Sequence, residues 1–230
     1  EQCQSEPVAF DDEDYPQLLK QIYDPPLVLF VKGSVEVLNQ PQLAIVGSRN
    51  ASIHGRENAM CFAGELAEQN IVVTSGLALG IDAYAHKAVV EMQKPTIAVV
   101  ATGIDRVYPA RNKALAAEIV EHGGAIVSEF LPKTPPKAGH FPKRNRLISG
   151  MSQGVLVIEA AMKSGSLITA RCALEQDRDV FAVPGSIQNP MVKGCHWLIK
   201  QGAKLVDETA DIIDEMDGIQ EIGLHLNRKL

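Results

Sequence analysis

Short apolar runs alternate with longer segments of helical period along most of the chain. The runs Leu27–Val31, Leu43–Val46, Ile71–Thr74, Thr96–Val100, Ala125–Ser128, Val155–Ile158 and Val180–Val183 lack an in–out alternation. Strands of that kind are buried on both faces, the mark of a parallel sheet covered by helices. Between them, His54–Gln69 places Ala59, Phe62, Ala63 and Leu66 on one helical face. Further helices are predicted over Tyr15–Tyr23, from Asp82 to Met92, over Ala110–His122, after the Lys143–Arg146 cluster, after Ser166, over Cys195–Gln201 and over Ala210–Met216. A last short strand is expected at Lys204–Val206. The pattern is α/β, a doubly wound and mostly parallel sheet.

Such sheets bind ligands beyond the carboxyl ends of their strands. The segments leaving those ends are Gly47–Asn50, Ser75–Asp82, Thr102–Lys113, Glu129–Arg146, Glu159–Ser166 and Pro184–Gln188. They carry most of the glycines and many cations.

Charge sharpens that picture. The formal net charge is -6, yet residues 1–14 hold six acids and no base, and residues 207–221 hold seven acids and no base. The body from 15 to 206 has 20 Lys and Arg against 15 Asp and Glu. From Glu129 to Glu159 no acid intervenes, whereas Lys133, Lys137, Lys143, Arg144 and Arg146 do. A local basic stripe on the ligand-binding rim suits a polyanion. A solvated face balanced by acidic ends is the plainer reading of charge alone. The chain divides into an acidic leader (1–14), a core domain (15–206) and an acidic helix and tail (207–230).

Several chemistries lack their signatures. No GxGxxG, Walker A or GxSxG pattern occurs, and the six histidines and four cysteines match no metal spacing. No cofactor and no metal is therefore expected. No apolar run approaches the length of a membrane span. The cysteines are taken as reduced thiols of a cytoplasmic protein.

Three stretches could hold an anion. Gly47-Ser48-Arg49 follows a strand and precedes a helix, so its amides and guanidinium could hold a phosphate; taken alone, an ordinary βα turn with a surface arginine is the preferred reading. Ser164-Gly165-Ser166 opens another helix, where capping accounts for one serine but not the whole run. Phe141 beside Lys143, Arg144 and Arg146 suits base stacking, or else a hydrophobic staple. Glu159, ending a buried strand, is read as a structural partner of Arg144 or Arg146, with an acid–base role as the alternative.

Ten short blocks in one order resemble the DNA-processing protein A (Smf) family of bacterial transformation. They are LVLFVKG (27–33), AIVGSR (44–49), TSGLALGID (74–82) with Ala85-His86, VVATG (99–103) with Tyr108-Pro109 and Asn112, SEF (128–130), FPKRNRLIS (141–149), VIEA (157–160), SGSLITA (164–170), VPG (183–185) and GCHWLIKQGA (194–203). The resemblance covers about residues 15–206. It implies an extended Rossmann-like domain that binds single-stranded DNA, protects incoming strands and helps load the RecA recombinase during natural transformation. It implies no known catalysis, and a homodimer. Carried onto this chain, the DNA contacts fall on Arg49, Lys137, Phe141, Arg144 and Arg146, with the serines beside them. The whole candidate set is Gly47, Ser48, Arg49, Lys137, Phe141, Lys143, Arg144, Asn145, Arg146, Ser164, Gly165 and Ser166. The dimer and RecA surface is associated with about Cys195–Val206. Neither the small helical domain that precedes the core in many relatives nor the winged helix that follows it can be placed here. A rival reading is a nucleotide N-glycoside hydrolase on a similar sheet. That family's PGGxGTxxE block is absent, and AAMKSGSLITA stands in its place.

Overall fold

The computed structural model describes residues 5–216, so the acidic tail beyond 216 and the first four residues of the leader lie outside the described residues. Nine strands form one sheet: β1 (Glu6–Ala9), β2 (Val28–Gly33), β3 (Gln42–Gly47), β4 (Val72–Ser75), β5 (Thr96–Val99), β6 (Ala125–Ser128), β7 (Gly154–Glu159), β8 (Asp179–Ala182) and β9 (Lys204–Leu205). Their spatial order is β1-β2-β6-β5-β4-β3-β7-β8-β9. All pairs from β6 to β9 are parallel, while β1–β2 and β2–β6 are antiparallel.

The helices are α1 (Gln17–Lys20), α2 (Ile53–Glu68), α3 (Ile81–Glu91), α4 (Lys113–Glu121), α5 (His140–Met151), α6 (Ser166–Glu175) and α7 (Lys193–Lys200), and residues 210–216 are helical too. Successive residues of each central strand face opposite layers. Ala44 and Val46 of β3 join Leu147 and Ile148 of α5 and Ala170 of α6 on one side. Leu43 and Ile45 join Phe62 and Leu66 of α2 and Val89 of α3 on the other. This two-sided burial is why these strands read as unbroken apolar runs.

The amino end adds a strand that the composition of residues 1–14 does not announce. Residues 6–9 of the acidic leader form an edge strand. Val8 is buried, the Phe10 ring lies 5.4 Å from that of Tyr15, and the Tyr15 hydroxyl donates to the Pro26 carbonyl at 2.6 Å. Two alternating apolar residues among six acids make too short a pattern to outweigh composition, but β2 supplies the missing partner.

A buried polar chain crosses the α3 side. His86 Nδ1 donates to Thr96 Oγ1 at 2.8 Å, because that hydroxyl's own proton goes to the Val73 carbonyl at 2.5 Å. Burial, with the Arg144 charge adding to it, depresses the His86 pKa to about 3. Below the ordinary histidine value of about 6.5, the unfolded chain therefore takes up a proton that the folded chain refuses. Stability should fall as pH drops from about 6.5 towards 3, by up to about 1.4 kcal/mol per pH unit from this group. Urea unfolding of the wild type and His86→Leu at pH 7.5, 6 and 5 checks this: the variant's acid slope should be the shallower.

Candidate nucleic-acid interface

After β3 the chain winds one way through β4, β5 and β6, then returns through α5 to β7 on the other flank of β3. From the paired carboxyl ends of β3 and β7 the chain leaves towards opposite faces of the sheet, to α2 and to α6, and at such a switch an open α/β sheet leaves a crevice. A cleft of about 650 Å³ occupies it. Gly47 to Asn50 line one wall, Lys163 to Ser166 the other, and Phe141, Arg144 and Asn145 of α5 lie between. A recess of about 110 Å³ shares Arg49, Phe141 and Arg144 with it and reaches Tyr108.

Arg49 is exposed on the rim, and its guanidinium carbon lies 5.5 Å from the Phe141 ring centroid. Phe141 is also 5.7 Å from Tyr108, so an arginine and two aromatic rings stand together. Backbone contacts fix this loop. The Ser48 N–H donates to the Glu159 carbonyl at 2.7 Å, and the Ile81 N–H donates to the Ser48 carbonyl at 3.1 Å. Gly80, at φ +76, rests directly on the Ser48 and Arg49 carbonyls, where any Cβ would collide. Only glycine meets both conditions.

The three cations of the Lys143–Arg146 cluster separate. Residues two apart on a helix diverge by about 200°. Arg144 turns inward to the cleft floor and is 5% exposed. Its Nη1 donates to the Gly76 carbonyl at 2.7 Å and to the Val99 carbonyl, and its Nε donates to Asn145 Oδ1 at 3.2 Å. Across Gly76 it faces the buried Asp82 carboxylate, which accepts from the Gly76 and Ala78 N–H groups at 3.1 and 3.3 Å. Burial lowers the Arg144 pKa to about 10; Asp82 opposes that shift and Arg49 adds to it. Burial likewise pushes the Asp82 carboxyl up, against the pull of Arg144. Arg146 points away and pairs with Glu129 at 2.8 Å and with Asp24 at 3.2 Å. Lys143 reaches the same Glu129 at 3.6 Å. Neither belongs to the cleft lining, and Lys137 is exposed on the loop just before α5.

On the far wall, Ser164 and Ser166 share a 2.7 Å hydroxyl contact, and Asn145 Nδ2 donates to the Gly165 carbonyl at 3.3 Å. Gly165, at the N-cap of α6, has no side chain to offer, and Ser164 Oγ accepts from the Ser166 N–H at 3.4 Å at the helix start. Glu159 is corrected: it pairs with neither arginine. Its Oε2 accepts from the Ser52 N–H at 2.8 Å at the head of α2, where the helix dipole favours an anion.

Gly47, Ser48, Arg49, Phe141, Arg144, Asn145, Ser164, Gly165 and Ser166 are thus brought together, and Lys137, Lys143 and Arg146 stand outside the lining. Sequence reasoning left out Tyr108, Lys163 and Asp82. Lys163 adjoins the serine run, and Asp82 follows the glycine loop of β4, so adjacency alone marked them. Tyr108 comes close only through tertiary packing.

A family profile described as DNA recombination-mediator protein A matches residues 6–217. The Smf protein of Escherichia coli is 50% identical over 218 residues, covering 95% of this chain. This chain spans 57% of that relative's length. The solved structure of DNA processing protein A from Streptococcus pneumoniae is 44% identical with a TM-score of 0.87, over 92% of this chain and 74% of that one. That of DNA processing protein A from Helicobacter pylori, described for its single-stranded DNA binding mode, is 29% identical with a TM-score of 0.83, over 94% and 96%. On this evidence the chain belongs to the DNA recombination-mediator protein A family.

Proposed function

We propose that this chain binds single-stranded DNA at the rim cleft, with backbone phosphates at Arg49 and the Ser164–Ser166 loop and bases against Phe141 and Tyr108. The observation that carries the reading is the meeting of an exposed guanidinium with two aromatic rings over a switch-point cleft. Phosphate charge and exposed base faces are what those groups recognise without regard to sequence. The description of the Helicobacter pylori relative as a binder of single-stranded DNA supports it.

The role that follows is protection of incoming strands and delivery to the RecA recombinase during DNA uptake, in the cytoplasm and by a homodimer. Among the described residues no helix is long and apolar enough to cross a membrane. The half-exposed Trp197 and Leu205, on α7 and β9, are where we place the contact with a second copy or with RecA. Binding, rather than turnover, is the activity proposed.

Anisotropy titration of labelled oligo-dT, and of the matching duplex, at two salt concentrations tests the reading. The single strand should bind tighter than the duplex, and its log affinity should fall linearly with log salt, by about 0.7 per phosphate engaged. Equal affinity for the duplex would point to phosphate contacts alone and remove the aromatic part of the site.

A further inference from the structure

We propose that a bound strand leaves the cleft across the loops after β5 and β6, passing Tyr108 and running along Arg106, Arg111 and Lys133. The inference rests on the binding reading above and adds a path to it. Four observations support this direction.

The two loops form one braced platform. The Gly103 N–H donates to the Thr134 carbonyl at 3.0 Å, the Lys133 N–H to Asp105 Oδ1 at 2.6 Å, and the Thr102 hydroxyl to the Arg106 carbonyl at 2.8 Å. Of the acids in these two loops, Asp105 is thereby occupied as a backbone acceptor, and Glu129 is paired with Lys143 and Arg146.

The platform's cations are available. Arg106, Arg111 and Lys133 are exposed, and none forms an ion pair among the described residues. Lys143 and Arg146, by contrast, are held by Glu129.

The junction is aromatic. Tyr108 lies on the β5 loop, is 48% exposed and stands 5.7 Å from Phe141, so it links the cleft to the platform.

The opposite exit is unsuited. Residues 184–192, leaving β8, contain no Lys or Arg and expose Ile187. The next cation, Lys193, donates to the Ile187 carbonyl at 2.6 Å. From β3, the β5 and β6 ends lie two and three strand spacings away, about 10–15 Å. A strand taking this path must be a few nucleotides longer than one that only fills the cleft.

The experiment compares oligo-dT of about 6 and about 20 nucleotides on the wild type and on R106E/R111E/K133E, each across a salt series. The wild type should bind the longer strand tighter and with the steeper salt dependence. The variant should bind the short strand within about twofold of wild type. On the long strand it should lose about tenfold or more in affinity and about 2 units of salt slope, three contacts at about 0.7 each. A second copy sharing the long strand would leave that slope unaltered in the variant. A folded variant with wild-type slope and affinity on the long strand would overturn the path. If the wild type itself bound neither strand, the cleft reading would fall and the path with it. R106Q/R111Q/K133Q carries the test if the reversed charges prevent folding.

Discussion

Arg144→Ala is expected to lower the unfolding free energy by about 3–5 kcal/mol, the usual cost of removing one member of a buried, mutually compensating charge set. The guanidinium is almost fully enclosed, caps the Gly76 and Val99 carbonyls, and offsets the Asp82 charge in the same enclosure. Truncation strands two carbonyls and leaves the Asp82 charge uncompensated, although its Gly76 and Ala78 N–H donors remain, and stranded buried polar groups cost more than their hydrogen bonds are worth. Urea unfolding measures the loss. The double variant Asp82→Asn, Arg144→Met should recover part of it, since it removes the uncompensated charge. If the double variant were less stable than Arg144→Ala by the full Asp82→Asn cost, the two groups would not be coupled and this account would be wrong. DNA affinity of Arg144→Ala is a poor guide by itself, because the cleft floor goes with the side chain.

Arg49→Glu is the complementary case, with a large effect on binding and little on folding. The side chain is exposed and anchored only over the Phe141 ring, so stability should change by no more than about 0.5 kcal/mol. Single-stranded DNA affinity should fall by about 10- to 100-fold, as expected for a lost charge-assisted phosphate contact replaced by repulsion. The salt slope should become shallower by about 0.7. A folded Arg49→Glu with unaltered slope would mean that Arg49 does not touch the strand.

The contrast between these arginines marks how far the sequence could be read. Two-face burial of the central strands followed from the unbroken apolar runs, and the rim segments followed from the strands, whereas the order across the sheet and the antiparallel, one-sided burial of β2 did not. Within the Lys143–Arg146 cluster, however, composition treats three cations alike, whereas helical phase does not. Leu147, Ile148 and Met151 are the buried stripe of α5, and Arg144 lies three, four and seven residues before them, on the same face. That spacing was present in the sequence and identifies the buried arginine. Glu129 bounds the acid-free stretch and neutralises two of its cations, a pairing that crosses the turn into α5 and has no local signature. Tyr108 and Phe141 are likewise far apart in the chain and meet only because β5 and α5 end on one rim.

The supports beneath that rim have a practical bearing on protein engineering. Gly80 leans on the Ser48 and Arg49 carbonyls, Asn112 Nδ2 holds the Leu77 carbonyl at 2.9 Å, and Gly103 abuts the Leu131 carbonyl. Each segment is propped by its neighbour in the sheet order, like stones in an arch. Grafting a single one onto another scaffold would carry its side chains without their footing. The smallest transplantable unit is these four segments together with the end of β7, whose Glu159 carbonyl holds the Ser48 N–H, and the strand ends that set their spacing.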